Sequence, residues 1–561
     1  MTELVLGPLV RYVDDTSATL WVETDSAATV TVTAGEHHAS APTFAAHGHH
    51  YALVVLDGLA PGSRTAYTVD VDGAGVWPPP DSPYPPSLIV TLEPGKPLRL
   101  AFGSCRVSVG HDEGGNAAFG VDALRSYALH MAGVTTSDSE DERWPDLVLF
   151  LGDQVYADET SEAMQEFIEA RRGTDEPPGK EIKDFEEYAH LYKLAWTDPA
   201  NRWLLSTLPS AMIFDDHDIR DDWNTSWSWR QKMERKPWWH DRIVGGLASY
   251  WVYQHLGNLG PADRKDDTLW QQIATYDGPG ELDITSAVDE LAERADQEPT
   301  SYRWSFHRDF DTQARLIVVD SRAARELDPD NRSILDPGEE AWLDDRMRGG
   351  FDHLLIGTSL PFLLAPGLHH AEAFSEAVAQ GAWGRLPAKI GEVARQAADM
   401  EHWAAFEEGF RAVAEMTLEV AAGERGRAPR TVTFLSGDVH HSYVAEARPR
   451  RGSDRRHVAS HIVQAVCSPI RNPLPGIMKR ITATAARTSA GGVTRSLAAS
   501  AKVEPPPLDW ELTSGPWYDN NLAILELRPA GLRMWWTGGE VVDGQHDRPV
   551  LCRVARVEPI G

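Results

Sequence analysis

The sequence predicts an all-β unit at the N-terminus followed by a larger layered α/β unit. Three observations carry that expectation. Short alternating runs such as ATLWVE, ATVTVTA and TAYTVDVDG fill the first 92 residues. Beyond the proline-rich stretch VWPPPDSPYPPS, at 76–87, the pattern changes to continuous apolar runs that each end in polar residues. Segments with helical spacing lie between those runs.

Period-two alternation punctuated by Gly, Asp and Pro is the pattern of half-buried strands, so residues 1–92 are expected to form an immunoglobulin/fibronectin-like β-sandwich. The prolines of 76–87 fix φ and remove donors, which makes a stiff extended connector at the edge of that unit. The second unit, 95–561, holds the runs LRLAFGSC, DLVLFLGDQVYAD, AMIFDDHD, ARLIVVDSR, HLLIGTSLPF and TVTFLSGDVHHS. Short continuous apolar runs suit strands covered on both faces, and layered α/β folds gather ligands at the carboxyl ends of such strands. Residues 160–195 and 371–421 place Ala, Glu and aromatics at helical spacing, with a helical insertion expected over about 371–425. Residues 223–253 are rich in Trp and read as cover helices packing aromatics. The Ala/Ser-rich segment 484–503 reads as a weakly helical excursion, and NLAILELRPAGLRMWWTG as a hairpin turning at Pro529–Gly531.

With 561 residues and 42% hydrophobic content the chain can bury more than one core. Its 53 Lys and Arg against 84 Asp and Glu leave a net charge of −31, and that field repels nucleic-acid backbones and anionic membrane surfaces. Stable nucleic-acid or membrane binding is therefore not expected. The N-terminus shows no basic leader before an apolar core, so a cytoplasmic location is expected. Cys105, Cys467 and Cys552 are too few and too scattered for a disulfide framework and read as free thiols or a ligand.

The candidates for chemistry stand at strand ends: Cys105, Asp153 with Tyr156, the cluster Asp215-Asp216-His217-Asp218, and Asp438 with His440 and His441. Carboxylates gathered at one point repel each other by several kcal/mol near ~4 Å, so a cation is needed among them. Mixed carboxylate, imidazole, phenolate and thiolate donors suit a transition metal in one position and a harder, oxygen-rich site beside it. Each motif has a plain alternative: a capped turn, a solvated charge cluster, a core histidine, a small buried cysteine. Their joint occurrence in order, each closing an apolar run, favours one shared centre.

The segments FGSC (102–105), LGDQVYAD (151–158), DDHD (215–218), GTSLP (357–361) and GDVHH (437–441) resemble the ordered signatures of the PhoD-like alkaline phosphatases, a branch of the calcineurin-like metallophosphoesterases. The resemblance covers roughly 95–560, and the N-terminal unit resembles that family's leading β domain. It implies a four-layer α/β/β/α sandwich with a binuclear metal centre: ferric iron in one position and a divalent ion, calcium or else manganese or zinc, in the other. Carried over by position, Asp153 would bridge both metals, while Cys105 and Tyr156 would bind the iron. Asp216 would bind the second metal, and Asp438 and His440, leaving an extended segment, would serve one metal each. His217 would stand beside the substrate oxygens, with Asp215 and Asp218 as its neighbours, and Arg106 and Arg220 are candidates to grip the phosphate. The implied activity is hydrolysis of a small-molecule phosphoester, of alkaline phosphatase or phosphodiesterase type, by metal-activated water attacking phosphorus in line.

Two other readings compete. A hydrolase with Ser104 or Cys105 as nucleophile lacks a G-x-S-x-G elbow anywhere in the chain. A non-catalytic adhesion or interaction protein could hold structural calcium among the same carboxylates, but its site would be closed by protein ligands. GTDEPPGK at 173–180 is not a P-loop: it has one residue too many between its glycines, and Glu181 follows the lysine.

Overall fold

Three apolar runs form strands buried along their whole length, Arg99–Gly103, Leu147–Leu151 and Ser210–Ile213, and pair in parallel. In the computed structural model, which describes residues 2–136, 143–383, 401–452, 456–476, 479 and 488–560, they belong to a six-stranded sheet. The expected hairpin, Leu522–Arg528 with Gly531–Glu540, and the strand Val550–Ile560 complete it antiparallel. A seven-stranded sheet is built around four parallel strands, Ala314–Val319, His353–Thr358, Thr431–Ser436 and His461–Val466.

Alternate residues of the second sheet explain how the layers stack. Leu316, Leu355, Leu435 and Val463 share a core with Leu149 and Leu151 of the first sheet. Their neighbours Ile317, Ile356, Val432 and Phe434 point the other way and pack with Phe410, Val413 and Leu418 of the helix Glu407–Ala422. On the far side of the first sheet lies the helix Ala123–Met131, burying Leu124, Tyr127 and Leu129. Helix, sheet, sheet, helix is the four-layer order that the family resemblance implied.

Helices Glu162–Arg172 and Phe185–Trp196 occupy the first helical stretch, and Pro366–Ala379 with Glu407–Ala422 the second. The middle of the expected 371–425 insertion, 384–400, and the start of the 484–503 excursion, 484–487, lie outside the described residues. The rest of that excursion contains the helix Thr488–Ser500. Trp223, Trp229, Trp238, Trp239 and Trp251 are buried as cover-helix aromatics, whereas Trp227 is 46% exposed. All three cysteines are free. No helix among the described residues is long and apolar enough to cross a membrane.

Residues 4–90 fold into strands of two five-stranded sheets, as alternation predicts, with one departure. Half-buried strands would wet one face, yet Ser17–Thr24 is buried at all eight positions. Leu20 and Val22 face the sandwich core, while Trp21, with Leu9 and Tyr51, faces the α/β unit. The far part of the chain also returns a short strand, Leu282–Asp283, parallel to Phe44–Ala45. Alternation marks which residues share a face but not what covers it.

Candidate metal centre

Four strands from both sheets deliver a ligand-type residue two positions past their last residue. These are Cys105 after Gly103, Asp153 after Leu151, Asp215 after Ile213 and Asp438 after Ser436. Cys105, Asp153, Asp438 and His440 all have φ between 50° and 63°. Non-glycine residues hold that left-handed conformation only where the surroundings impose it, typically at functional sites. Asp438 and His440 thus do not leave an extended segment, as spacing suggested; a tight left-handed turn separates them. That turn crosses the neighbouring sheet so closely that a Cβ on Gly437 would lie 2.0 Å from Ser104 Oγ. Ser104 Oγ in turn accepts from the Asp438 amide at 3.0 Å.

The result, among the described residues, is three candidate ligand groups, of which one is Asp216, His217 and Asp221 and the other two share Asp153. Donor atoms of Cys105, Asp153 and His440 lie within 4.8 Å of one another, and so do those of Asp153, Asp215, Asp216 and Asp438. Asp153 Oδ1 and Asp215 Oδ2 are buried and have no hydrogen-bond partner among the described residues. Orphaned buried carboxylate oxygens are costly, and a cation between the groups would satisfy them. Burial, then Cys105 and the neighbouring carboxylates, pushes the Asp153 carboxyl well above its usual range, and burial raises Asp216 to about 6. Close-packed acids without a metal take up protons instead.

Tyr156 packs with Cys105 and Val107, and its hydroxyl accepts from Asn472 Nδ2 at 3.0 Å. Its ring centre lies 4.7 Å from that of His217. Burial pushes the Cys105 thiol up to about 12 and the Tyr156 phenol well above its usual value. His217 Nδ1 is 2.9 Å from Asp158 Oδ1. Burial works against its proton, but Asp158 and Asp216 outweigh that and hold the imidazole well above its ordinary pKa. The residue orienting His217 is therefore Asp158, the last residue of LGDQVYAD. Asp218 Oδ2 instead accepts from the amides of Asp153 and Asp215, at 2.9 Å each. His441 lies buried against Tyr443 and Tyr518.

Both candidate phosphate arginines are committed elsewhere. Arg106 is buried, with Nε and Nη2 on Asp122 and Nη1 on the Ala195 carbonyl. Arg220 pairs with Glu181 at 2.5 Å and lies over the Trp238 ring. An arginine next to a ligand in sequence points wherever the turn sends it, and here the turn sends Arg106 into a buried ion pair.

Sequence reasoning missed the residues that balance the acidic group. Arg322, fully buried, pairs with Asp215, with Asp216 at 3.1 Å and with Glu401 at 2.5 Å. His402 bridges Glu372 at 2.8 Å and Asp438 Oδ2 at 3.0 Å. Burial disfavours a charged His402, but Glu372 and Asp438 outweigh it and hold its pKa well above the ordinary value. Arg322 had the same signal as the ligands, a charged residue just past the apolar run ARLIVV.

A family model described as PhoD-like phosphatase matches residues 130–502. The chain belongs to the PhoD-like phosphatase family. A second family model, a domain of unknown function (DUF7800), matches residues 1–89. No curated protein matches the sequence. Among solved structures, one titled "Structure of PhoD" aligns with a TM-score of 0.58 and 13% identity, over 98% of this chain and 89% of that one. The type III pullulan hydrolase from Thermococcus kodakarensis aligns with a TM-score of only 0.15 and 10% identity, over 97% of this chain and 96% of that one. Membership makes this PhoD-like chain a phosphoesterase, and its acidic and histidine groups match a metal-dependent one.

Proposed function

We propose that this PhoD-like phosphatase hydrolyses a small-molecule phosphoester at a two-metal centre, both ions of which Asp153 would help to hold. One observation carries the reading: Asp153 belongs to two of the ligand groups, and its Oδ1 is buried without a partner among the described residues. Cys105, Tyr156 and His440 would hold ferric iron, for which thiolate and phenolate are strong anionic donors. Asp216 and Asp438, with Asp215 beside them, would hold a divalent ion, calcium, manganese or zinc. When bound, such a pair lowers the pKa of water towards neutrality and neutralises charge on the phosphoryl oxygens. The protein's part is positioning and proton handling. Asp158 accepts at His217 Nδ1 and so leaves Nε2 to donate to a phosphoryl or leaving oxygen. Ser104, buried and accepting from the Asp438 amide, would act as a support rather than a nucleophile.

The test is elemental analysis and a visible spectrum of untreated protein, with turnover of an aryl phosphate before and after chelation. The expected outcome is about one iron per chain, a phenolate-to-iron band that vanishes in Tyr156→Phe, and loss of turnover on chelation. Turnover untouched by exhaustive chelation overturns the reading. A colourless, iron-free and fully active enzyme removes iron from the Tyr156 side alone.

A further inference from the structure

We propose that the N-terminal β-unit is a positioning part of the metal centre, with Arg11 bracing the two loops that carry Asp153 and Asp215. The proposal rests on the reading of Asp153 as a metal ligand. Arg11 lies two residues after Leu9 on the strand Leu4–Val13, so it leaves the sandwich and enters the α/β unit, where it is fully buried. Its guanidinium donates to the Tyr253 carbonyl at 2.8 Å, the Gln254 carbonyl at 2.6 Å and the Ser210 carbonyl at 3.3 Å. Tyr253 and Gln254 belong to a single π-turn, Trp251–His255. Such turns leave carbonyls available for outside donors and recur at functional sites. Close approach is built in: a Cβ on Gly257 would lie 2.4 Å from Arg11 Cζ.

From this turn two arms run to the centre. In the first, Gln254 Nε2 donates to Asp218 Oδ1 at 3.2 Å and to Tyr192 Oη at 2.9 Å. The other oxygen of Asp218 holds the amides of Asp153 and Asp215. Three hydrogen-bonded steps, all through buried groups, thus link a guanidinium of the β-unit to the backbone of the shared ligand. In the second arm, the Asn258 side chain both accepts from the Met212 amide at 2.9 Å and donates to its carbonyl at 2.6 Å. Ser210–Ile213 is the last strand of its sheet, so Asn258 and Arg11 supply the pairing its outer edge lacks. That strand leads directly into Asp215, Asp216 and His217. A left-handed turn at Asp153 keeps its geometry only if something over-determines it, and the Asp218 clamp does so.

Tyr67 supplies a control, because its hydroxyl also crosses between the units, to the Ser206 carbonyl at 2.6 Å, but leads to no ligand loop. The experiment titrates metal-free full-length protein with Mn2+ and follows aryl-phosphate kinetics in Gln254→Met, Arg11→Lys and Tyr67→Phe. Gln254→Met keeps the side-chain volume and removes only the amide. Removing an outer support of a metal site typically weakens affinity about 10–100-fold. Gln254→Met and Arg11→Lys are expected to weaken Mn2+ binding by that factor and to lower kcat with KM little changed, while Tyr67→Phe leaves Mn2+ affinity as in the parent. Parent-like Mn2+ binding in Gln254→Met overturns the brace, and so does an equal loss in Tyr67→Phe, which would mean general loosening. If Arg11→Lys does not fold, Gly257→Ala, whose Cβ would meet the Arg11 guanidinium, tests the β-unit in its place, and parent-like Mn2+ binding there overturns the β-unit's role, because Gln254→Met leaves the carbonyl that Arg11 holds. A parent protein that binds none of Mn2+, Ca2+ and Zn2+ removes the two-metal reading itself, and the brace with it.

Discussion

The two halves of the centre neutralise themselves in opposite ways. On one side stand Cys105, Tyr156 and His440, whose supports apart from the shared Asp153 are uncharged: Ser468 Oγ lies 3.3 Å from Cys105 Sγ, Asn472 holds the phenol, and Ser468 accepts from the His440 amide at 3.1 Å. Burial raises the thiol to about 12, raises the phenol far above its usual value and lowers His440 to about 4. Without a metal all three are neutral. On the other side stand Asp215, Asp216 and Asp438, with Arg322 and a charged His402 already in contact. The first half gives up protons only to a strongly polarising ion, whereas in the second burial holds Asp215 well above the usual range and Asp216 up at about 6, and His402 outweighs burial only at Asp438, which it holds below that range. A centre built this way can hold two different ions without each half competing for the other's.

Asp153 is where the comparison breaks, because it belongs to both halves. Asp153→Asn keeps the shape and removes the charge from each. Metal assistance contributes several kcal/mol, so turnover of an aryl phosphate at saturating metal should fall by at least about 10³-fold. Metal analysis should show both ions bound more weakly. Retained turnover, or loss of one ion only, would assign Asp153 to a single half.

His402 sharpens the contrast on the charged side. It donates to Asp438 Oδ2 while Glu372 accepts from its other nitrogen, an arrangement that orients the carboxylate and supports the proton on His402. His402→Gln can keep a hydrogen bond to Asp438 but not the charge. Losing such an outer partner should cost about 10–100-fold in affinity for the divalent ion. The visible band of the thiol and phenol side should stay. A band lost together with divalent affinity would show that the halves are not separately supported.

What the sequence revealed and hid divides by position in the chain rather than by charge. Cys105, Asp153, Asp216 and Asp438 were readable because each follows a buried strand whose apolar run marks its own end, and a parallel sheet brings such ends together. His402 was not readable. It comes from the stretch after the helix Pro366–Ala379, and only tertiary packing brings it to Asp438, 36 residues away. Arg11 was hidden for a different reason. In LVRYV it reads as the solvent-facing member of an alternating strand, and nothing local reveals that a second core covers that face. The spacing of Asp438 and His440 suggested an extended segment where the backbone is a tight left-handed turn, and both arrangements place two side chains near one point.

The smallest effect belongs to the uncharged side and tests whether its supports are as weak as their chemistry suggests. Asn472 Nδ2 donates to the Tyr156 hydroxyl at 3.0 Å. A single neutral hydrogen bond contributes about 1 kcal/mol net, which corresponds to roughly fivefold in an equilibrium constant. Asn472→Leu should therefore weaken iron retention by about that factor and move the phenolate-to-iron band, because the phenol loses the hydrogen bond that fixes its position. Divalent-ion affinity should not change. If Asn472→Leu instead costs as much as His402→Gln, the uncharged half also depends on electrostatic support, and the difference between the halves would lie in the ligand atoms alone.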